Sequence, residues 1–228
     1  TPEQITHTNI SNRRPAWSSD GKKIAYVVNT GDKENVSVID ANGGVPHVFE
    51  NTGYTNHVAW HPGERIIYSS WKNHDLLDPV SGAIEQLMAE DINGYVSFAS
   101  YSPDGQRVAF TIAEYEGEWH VKKRNKWTIV IYSLDDHTRL WACPSDRATD
   151  CLGWSPDGEW LYLASFDSPS TSINRMRISD GSVIPVVTLP WSNVWEIAMA
   201  PSCSTFICVR GDRQSDVWLV ADFDPDIR

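Results

Sequence analysis

Short apolar segments recur along the 228-residue chain, each preceded by a small or apolar residue, an anchor residue and a polar turn. The five anchors are Trp17, Trp60, Tyr101, Trp154 and Met199. Apart from one wider gap, they recur at about the 40 to 45 residues expected for one four-stranded propeller blade. The wider gap precedes Trp154 and holds an insertion. The pattern therefore predicts an all-β fold built from repeated antiparallel sheets.

The turn of the repeat reads Ser-Pro-Asp-Gly in its fullest form, at residues 102–105 and 155–158. Pro presets φ, Asp can bond its own backbone and Gly takes the position of positive φ, so the first two strands form a tight hairpin. A fourth, outer strand is predicted at residues 47–49. Pro46 marks its start, because proline cannot donate a hydrogen bond to a strand ladder and is therefore confined to the beginning of an edge strand. Third strands are predicted at residues 36–40, 129–132 and 217–220.

The two ends of the chain complement each other in this pattern. The last repeat ends after its third strand, while residues 3–7 precede the first repeat. We expect this N-terminal segment to become the outer strand of the last blade, which would remove an open sheet edge. The predicted fold is a five-bladed β-propeller of four-stranded blades, closed by the N-terminal strand and forming a single domain over residues 1–228.

Composition narrows the possible partners. Hydrophobic residues make up 41% of the chain and charged residues 21%, which is typical of a globular protein. The net charge of −11 argues against nucleic acid or an anionic membrane as a main partner. No apolar run approaches the roughly 18 residues needed to span a bilayer. We expect a monomer with neither a membrane anchor nor an intact signal peptide.

The four cysteines do not form a disulfide framework or a zinc motif. Cys203 and Cys208 fall in one predicted hairpin, too far apart to bridge. Cys143 and Cys151 flank a turn, and they either form a disulfide or remain free thiols. Cysteine usage therefore leaves the redox compartment open.

The Trp-Ser-Pro-Asp-Gly turn that leads from Trp154 into the apolar strand at Leu161 resembles the repeat of TolB-like β-propellers. The resemblance covers essentially the whole chain and implies a propeller fold. Such propellers include protein-docking domains, gating domains of serine peptidases and a few metal-dependent lyases, and the resemblance favours a periplasmic or secreted location. Two features depart from the family: five blades are fewer than TolB has, and the fifth turn, residues 201–203, lacks Asp-Gly. A fragment of a larger ring is therefore the rival interpretation.

A binding site is expected on the face opposite the Asp-Gly turns, since those turns recur for a backbone reason. Two layers of residues should enter the first strands there, beside the central channel. The first layer is Arg13, Asn56, Ser97, Asp150 and Trp195. The second layer is Arg14, His57, Phe98, Cys151 and Glu196. Diverse groups converging on one axis suit a small ligand or a peptide terminus, although exposed loops also vary without function.

Aromatic residues outside the anchor positions add to this prediction. Trp71, Trp119, Trp191 and Trp195 suit sugar rings or a protein hot spot, or else they seal one blade against the next. The predicted ligand-binding residues are Arg14, His57, Trp71, Tyr95, Trp119, Asp150, Trp195 and Glu196.

Three histidines raise the question of a metal. His57, His74 and His120, with acidic neighbours, would suit Zn or Mn and loosely resemble the His-rich centre of oligogalacturonate lyases. No local His-x-x-His spacing supports this set, so solvated loop histidines are the alternative. No Gly-x-Ser-x-Gly elbow is present, and no catalytic residue is predicted.

The sequence therefore predicts a non-enzymatic binding module without a cofactor, which recognises a protein segment or a carbohydrate. A metal-dependent lyase or hydrolase acting on oligosaccharides is the first alternative, with Mn or Zn held by His57 and His74. A docking or gating domain cut from a larger protein is the second.

Overall fold

The computed structural model describes residues 4–7, 10–70, 74–88, 94–96, 99–116, 123–145, 149–167, 170–191, 194–199, 205–210 and 216–221. The chain divides into two compact units, Thr1–Ala99 and Ser100–Arg228. Each unit is built from antiparallel sheets whose strands are neighbours in sequence. In the described part of the chain, no helix has the length and hydropathy required to cross a membrane.

The first unit contains two four-stranded sheets, joined by a short 3-10 helix at Glu50–Thr52. The first sheet consists of β1 (Asn12–Trp17), β2 (Lys23–Asn29), β3 (Glu34–Asp40) and β4 (His47–Phe49). The second sheet consists of β5 (His57–Trp60), β6 (Ile66–Ser69), β7 (His74–Leu77) and β8 (Ile84–Gln86). A short strand, β9 (Gly94–Val96), follows.

The second unit contains two four-stranded meanders and a sheet of three strands. The first meander is β10 (Ser100–Tyr101), β11 (Arg107–Glu116), β12 (Lys123–Ser133) and β13 (Arg139–Ser145). The next is β14 (Thr149–Trp154), β15 (Trp160–Asp167), β16 (Ser170–Arg177) and β17 (Val183–Leu189). The last sheet is β18 (Val194–Met199), β19 (Thr205–Arg210) and β20 (Asp216–Ala221). The insertion predicted before Trp154 lengthens β11 and β12.

The all-β class and the four-stranded blade are confirmed, whereas the prediction of five blades is wrong. Four sheets have the four-stranded order, and the described part of the fifth repeat has three strands. Closure by the N-terminal strand is not seen, because residues 4–7 lie in no strand. Ile5 instead packs on the first blade against Ile24, Tyr26 and Val28. The prediction that residues 1–228 form a single domain stays a prediction.

The repeated turn is held by a hydrogen-bond network that the sequence only partly predicted. In the fourth blade, the Ser155 hydroxyl donates to Asp157 and accepts from the backbone N–H of Trp160. It also lies 3.3 Å from the backbone carbonyl oxygen of Trp160. Asp157 also accepts from the backbone N–H of Glu159, and Gly158 has φ of +71°. The turns that begin at Ser18 and Ser102 repeat these bonds. Serine is therefore as important to this turn as Asp and Gly.

The second blade builds its turn differently. His61 replaces Ser, and its Nδ1 accepts from the backbone N–H of Gly63 at 2.7 Å. Glu64, with φ of +70°, occupies the position where the other turns have glycine. A non-glycine residue in this conformation is strained by about 1–2 kcal/mol.

The anchor tryptophans behave in two ways. Trp60 packs on the first blade against Ala25, Val27 and Val36, and Trp154 joins a core cluster with residues of the third blade. Trp17 was predicted to be an equivalent core position, yet its exposed fraction is 61%. Half-buried and exposed residues alternate along β1, and Trp17 lies on the exposed side.

Candidate functional site

A β-bulge in the first blade contains Arg14, the third residue of β1. Arg13 pairs with Val27 and Ala16 pairs with Ala25, so β1 has one residue more than β2 over this stretch. Arg14 has φ of +55°, a conformation that L-residues rarely adopt. Bulges and such strained residues are frequent next to functional sites, where they redirect a side chain. Its neighbour Arg13 forms an ion pair with Glu34.

Three polar side chains of the second blade form a row across β5, β6 and β7. His57 pairs with Ser69, and Ser69 pairs with His74, so the three side chains lie on one face of the sheet. His74 is fully buried and shares a hydrogen bond of 2.9 Å with the Ser69 hydroxyl through Nδ1. Two histidines thus lie on either side of Ser69 at one end of this blade.

Arg14 and this row interact electrostatically. Burial lowers the pKa of His57 to about 3, and the charges of Arg14 and His74 lower it further in the same direction. His57 is therefore a neutral imidazole at physiological pH. The site combines the positive charge of Arg14 with hydrogen-bonding rings.

Asn56, directly before β5, adds an acceptor to the same end of the blade. Its backbone N–H donates to the carbonyl of Ser69 at 2.8 Å. Its Oδ1 atom is buried and has no hydrogen-bond partner among the described residues. Because a buried polar atom ordinarily has a partner, this oxygen is a position at which a ligand donor would be stabilised.

The neighbouring pair in the ladder, Tyr68 and Asp75, has a different role. Their side chains are hydrogen-bonded across β6 and β7, and burial raises the pKa of both groups. Tyr68 belongs to the buried cluster that contains Trp60. This pair is therefore part of the blade core.

In the second unit, Asp150 and Cys151 occupy the corresponding start of β14. Cys151 is buried, and its Sγ lies 3.6 Å from the Thr111 hydroxyl. Burial raises the pKa of the Cys151 thiol to about 12, with Asp150 acting in the same direction. Cys151 is thus a protonated, inert thiol. Cys143, Cys151 and Cys208 are all free, so the open question of a bridge between Cys143 and Cys151 is answered.

Several predicted residues fall outside the described part of the chain. Trp71, Trp119, His120, Ser97 and Phe98 are among them, as are the side chains of Tyr95, Trp195 and Glu196. Trp191 is half-buried and packs on the core cluster of the fourth and fifth repeats, which favours its sealing role. The structure thus brings together Arg14, His57 and His74, and the rest of the predicted set stays a prediction.

The described donor set suits a metal poorly. Among the residues the structure describes, no group of three or more His, Cys, Asp or Glu side chains could hold a metal ion. Arg14 adds a positive charge beside His57, which opposes the approach of a divalent cation. His120, the third predicted ligand, lies outside the described residues.

Ser69 was missed by the sequence reasoning, although a signal existed. A tight turn at residues 61–65 fixes the register of the β5–β6 hairpin and puts Ser69 opposite His57. A signal for the bulge at Arg14 also existed, because Pro15 follows it and proline within a sheet is confined to edge strands, strand starts and bulges.

Comparisons with known proteins establish the fold. No protein-family model matches the chain. The chain is similar to dipeptidyl-peptidase 5 of Porphyromonas gingivalis, with 24% identity over 139 residues, 55% of this chain but only 20% of that protein. It therefore spans about a fifth of the curated relative that it matches.

Solved structures resemble the chain over most of its length. The putative TolB from Agrobacterium tumefaciens has a TM-score of 0.71 and 21% identity, covering 96% of this chain and 80% of that one. TolB from Acinetobacter baumannii has a TM-score of 0.68 and 19% identity, covering 89% and 51%. An oligogalacturonate lyase from Vibrio parahaemolyticus has a TM-score of 0.62 and 11% identity, covering 96% and 78%. The resemblance to TolB-like propellers is thereby confirmed at the level of the fold.

Proposed function

We propose that this chain, an all-β propeller with the TolB-like fold, is a binding module that recognises a protein segment or a carbohydrate. The observation that carries the proposal is the bulge that fixes Arg14 beside His57. A strained arginine next to a half-buried, neutral imidazole is unfavourable for stability alone, and such arrangements cluster at binding sites.

The chemistry of the site fits a polar ligand. The Arg14 guanidinium donates hydrogen bonds, the neutral His57 ring can donate and accept, and Asn56 Oδ1 accepts. Hydroxyl groups of a sugar and backbone groups of an extended peptide both match this set. In this proposal Trp71, Tyr95, Trp119, Asp150, Trp195 and Glu196 complete the ligand contacts.

Glycan and peptide arrays would identify the ligand, and isothermal titration would then measure its Kd for matched variants. Arg14→Gly is the sharpest of these, because glycine adopts φ of +55° without strain while the guanidinium is lost. We expect Arg14→Gly to raise the Kd about tenfold or more, as expected for losing a hydrogen bond to a charged group, and His57→Gln to raise it by a smaller factor because His57 is neutral. Arg65→Gln, which removes a guanidinium paired with Glu85, should bind like the wild type. Unchanged affinity in both site variants would refute the proposal.

An enzymatic role is the competing proposal, supported by the row of His57 and His74 and by the likeness to a lyase structure. Metal analysis, with thermal unfolding with and without a chelator, separates the two, because a bound ion stabilises the folded state. Near-stoichiometric Mn or Zn with a chelator-sensitive Tm would favour the enzyme.

The similarity to one-fifth of a peptidase favours a further possibility, in which this propeller docks or gates within a larger protein. Sequencing the transcript on both sides of this chain would test it. We also propose a periplasmic or secreted location, which cell fractionation with an antibody to the chain would check.

A further inference from the structure

A cavity of about 550 Å³ opens beside the Asp-Gly turns of the second unit. Its lining combines one residue of the third blade with the turns of the fourth: Arg107, Gly158, Glu159, Arg177, Ile178 and Ser179. A volume of this size lies within the range of roughly 300–1,000 Å³ that is usual for small-molecule sites.

Arg107 is held in place from both ends. Its backbone N–H donates to the Ser102 hydroxyl at 2.9 Å, and its guanidinium lies 4.8 Å from the centre of the Trp154 ring. Trp154 is itself fixed, because it is buried and its Nε1 donates to the carbonyl of Ser100 at 2.9 Å. Stacking on an indole orients a guanidinium and leaves its N–H edge open to an acceptor.

Gly158 makes room for this arrangement. A Cβ atom at Gly158 would lie 3.3 Å from Nη2 of Arg107, closer than ordinary contact. Glycine at this position therefore serves the turn, where φ is +71°, and also leaves space around the guanidinium.

Arg177 supplies a second guanidinium, stacked 4.7 Å from the centre of the Trp160 ring. Each arginine has a long ion pair with a neighbouring aspartate: Asp104 lies 3.7 Å from Arg107, and Asp180 lies 3.9 Å from Arg177. Charge-assisted hydrogen bonds measure roughly 2.7–2.9 Å, so neither carboxylate occupies a guanidinium fork.

We propose that this cavity is a second binding site, separate from the site at Arg14, and that it takes a small organic carboxylate. The planar guanidiniums of Arg107 and Arg177 match a carboxylate, Ile178 offers apolar contact and Ser179 a hydroxyl. Glu159 in the lining repels a dianionic phosphate, whose two charges lie on one group, more strongly than a dicarboxylate, whose charges lie at separate ends of the molecule, which favours the organic anion.

Isothermal titration of the full chain with succinate, succinamide and inorganic phosphate tests the proposal. We expect succinate to bind, Arg177→Gln to raise its Kd about tenfold, and Glu159→Gln to lower it, because the latter removes a repelling charge. Arg177 is largely exposed and Glu159 uses only its backbone in the turn, so both variants should fold. Arg107→Gln should also weaken binding, with its fold checked by circular dichroism.

Arg65→Gln, an exposed arginine elsewhere, is the matched control and should bind succinate like the wild type. Equal binding of succinate and succinamide, or no change in the Kd for Arg177→Gln and Arg107→Gln, would overturn the proposal. Binding of phosphate without succinate would overturn the assignment to an organic carboxylate. Because Arg14→Gly leaves this cavity intact, it should not affect succinate binding, so the two sites can be tested separately.

Discussion

Arg14 near the start of β1 lies close enough to His57 at the start of β5 for its charge to lower the pKa of the imidazole. The two residues come from successive blades and occupy the same place in the repeat. A bulge with positive φ at Arg14 sets this relationship. Their proximity is the most specific feature of the first unit, and it has a measurable consequence for stability.

Stability should fall as the pH drops from about 6.5 to about 3, the window between the ordinary pKa of histidine and that of folded His57. In this window the unfolded state binds a proton that the folded state does not bind. The free energy of unfolding therefore falls by at most about 1.4 kcal/mol for each pH unit. His57→Gln should flatten the dependence of unfolding free energy on pH in this range. Arg14→Gln should narrow the window by raising the pKa of His57. An NMR titration of His57 would check both, and a midpoint near 6.5 would contradict them.

Glu64→Gly should stabilise the chain by about 1 kcal/mol, because glycine tolerates φ of +70° and glutamate does not. The variant loses a hydrogen bond of 3.2 Å between the Ser19 hydroxyl and Glu64, which is exposed and contributes little. Gly21→Ala is the matched opposite: nothing lies within 4 Å of an added Cβ, so conformation alone should destabilise it. Urea denaturation would measure the change in unfolding free energy for both variants. Changes of the same sign would contradict the role given to the positive φ at these two positions.

Trp154→Ala should destabilise the chain by about 3–5 kcal/mol, because a buried indole, its hydrogen bond and the stack with Arg107 are all lost. Trp17→Ala should change stability by no more than about 0.5 kcal/mol, since 61% of Trp17 is exposed. The two tryptophans hold the same position in the repeat. Similar losses of unfolding free energy for both would show that Trp17 is covered in solution.

The turn carboxylates should make the chain sensitive to acid below about pH 4. Hydrogen bonds from serine hydroxyls and backbone N–H groups lower the pKa values of Asp20, Asp104 and Asp157 below the ordinary value of 3.8. A lowered pKa gives stability that is present above the unfolded value and lost as pH falls through the folded one.

Replacing the three aspartates by asparagine would test this expectation, since asparagine keeps the acceptor oxygen and does not titrate. Thermal unfolding between about pH 5 and about pH 2 should show a flatter curve for the triple variant than for the wild type. Curves of equal slope would mean that these turns do not control acid stability.

The sequence predicted the strands well because the repeat itself carries the information. A small residue, an aromatic anchor and a Ser-Pro-Asp-Gly turn determine the first hairpin of a blade locally, and β11 and β15 follow from residues within a few positions of them. The number of complete blades was mispredicted because it depends on where Ile5 packs, and a short apolar segment fits more than one sheet.

The sites were harder to predict for two physical reasons. The strain at Arg14 was not predicted, because Pro15 marks an edge strand or a bulge without indicating a positive φ at the residue before it. The cavity at Arg107 and Arg177 depends on indole rings that orient guanidiniums from different strands. Such pairings involve side-chain directions, which hydrophobic periodicity does not encode.

The turns also bear on how such a chain could have evolved. Each Ser-Asp-Gly network closes within about half a dozen residues, as Ser155, Asp157 and Trp160 show. A stretch of gene encoding one blade therefore encodes all the residues that form the turn of its hairpin. Duplication or loss of that stretch would leave neighbouring hairpins intact, so lineages could gain or shed blades by single recombination events.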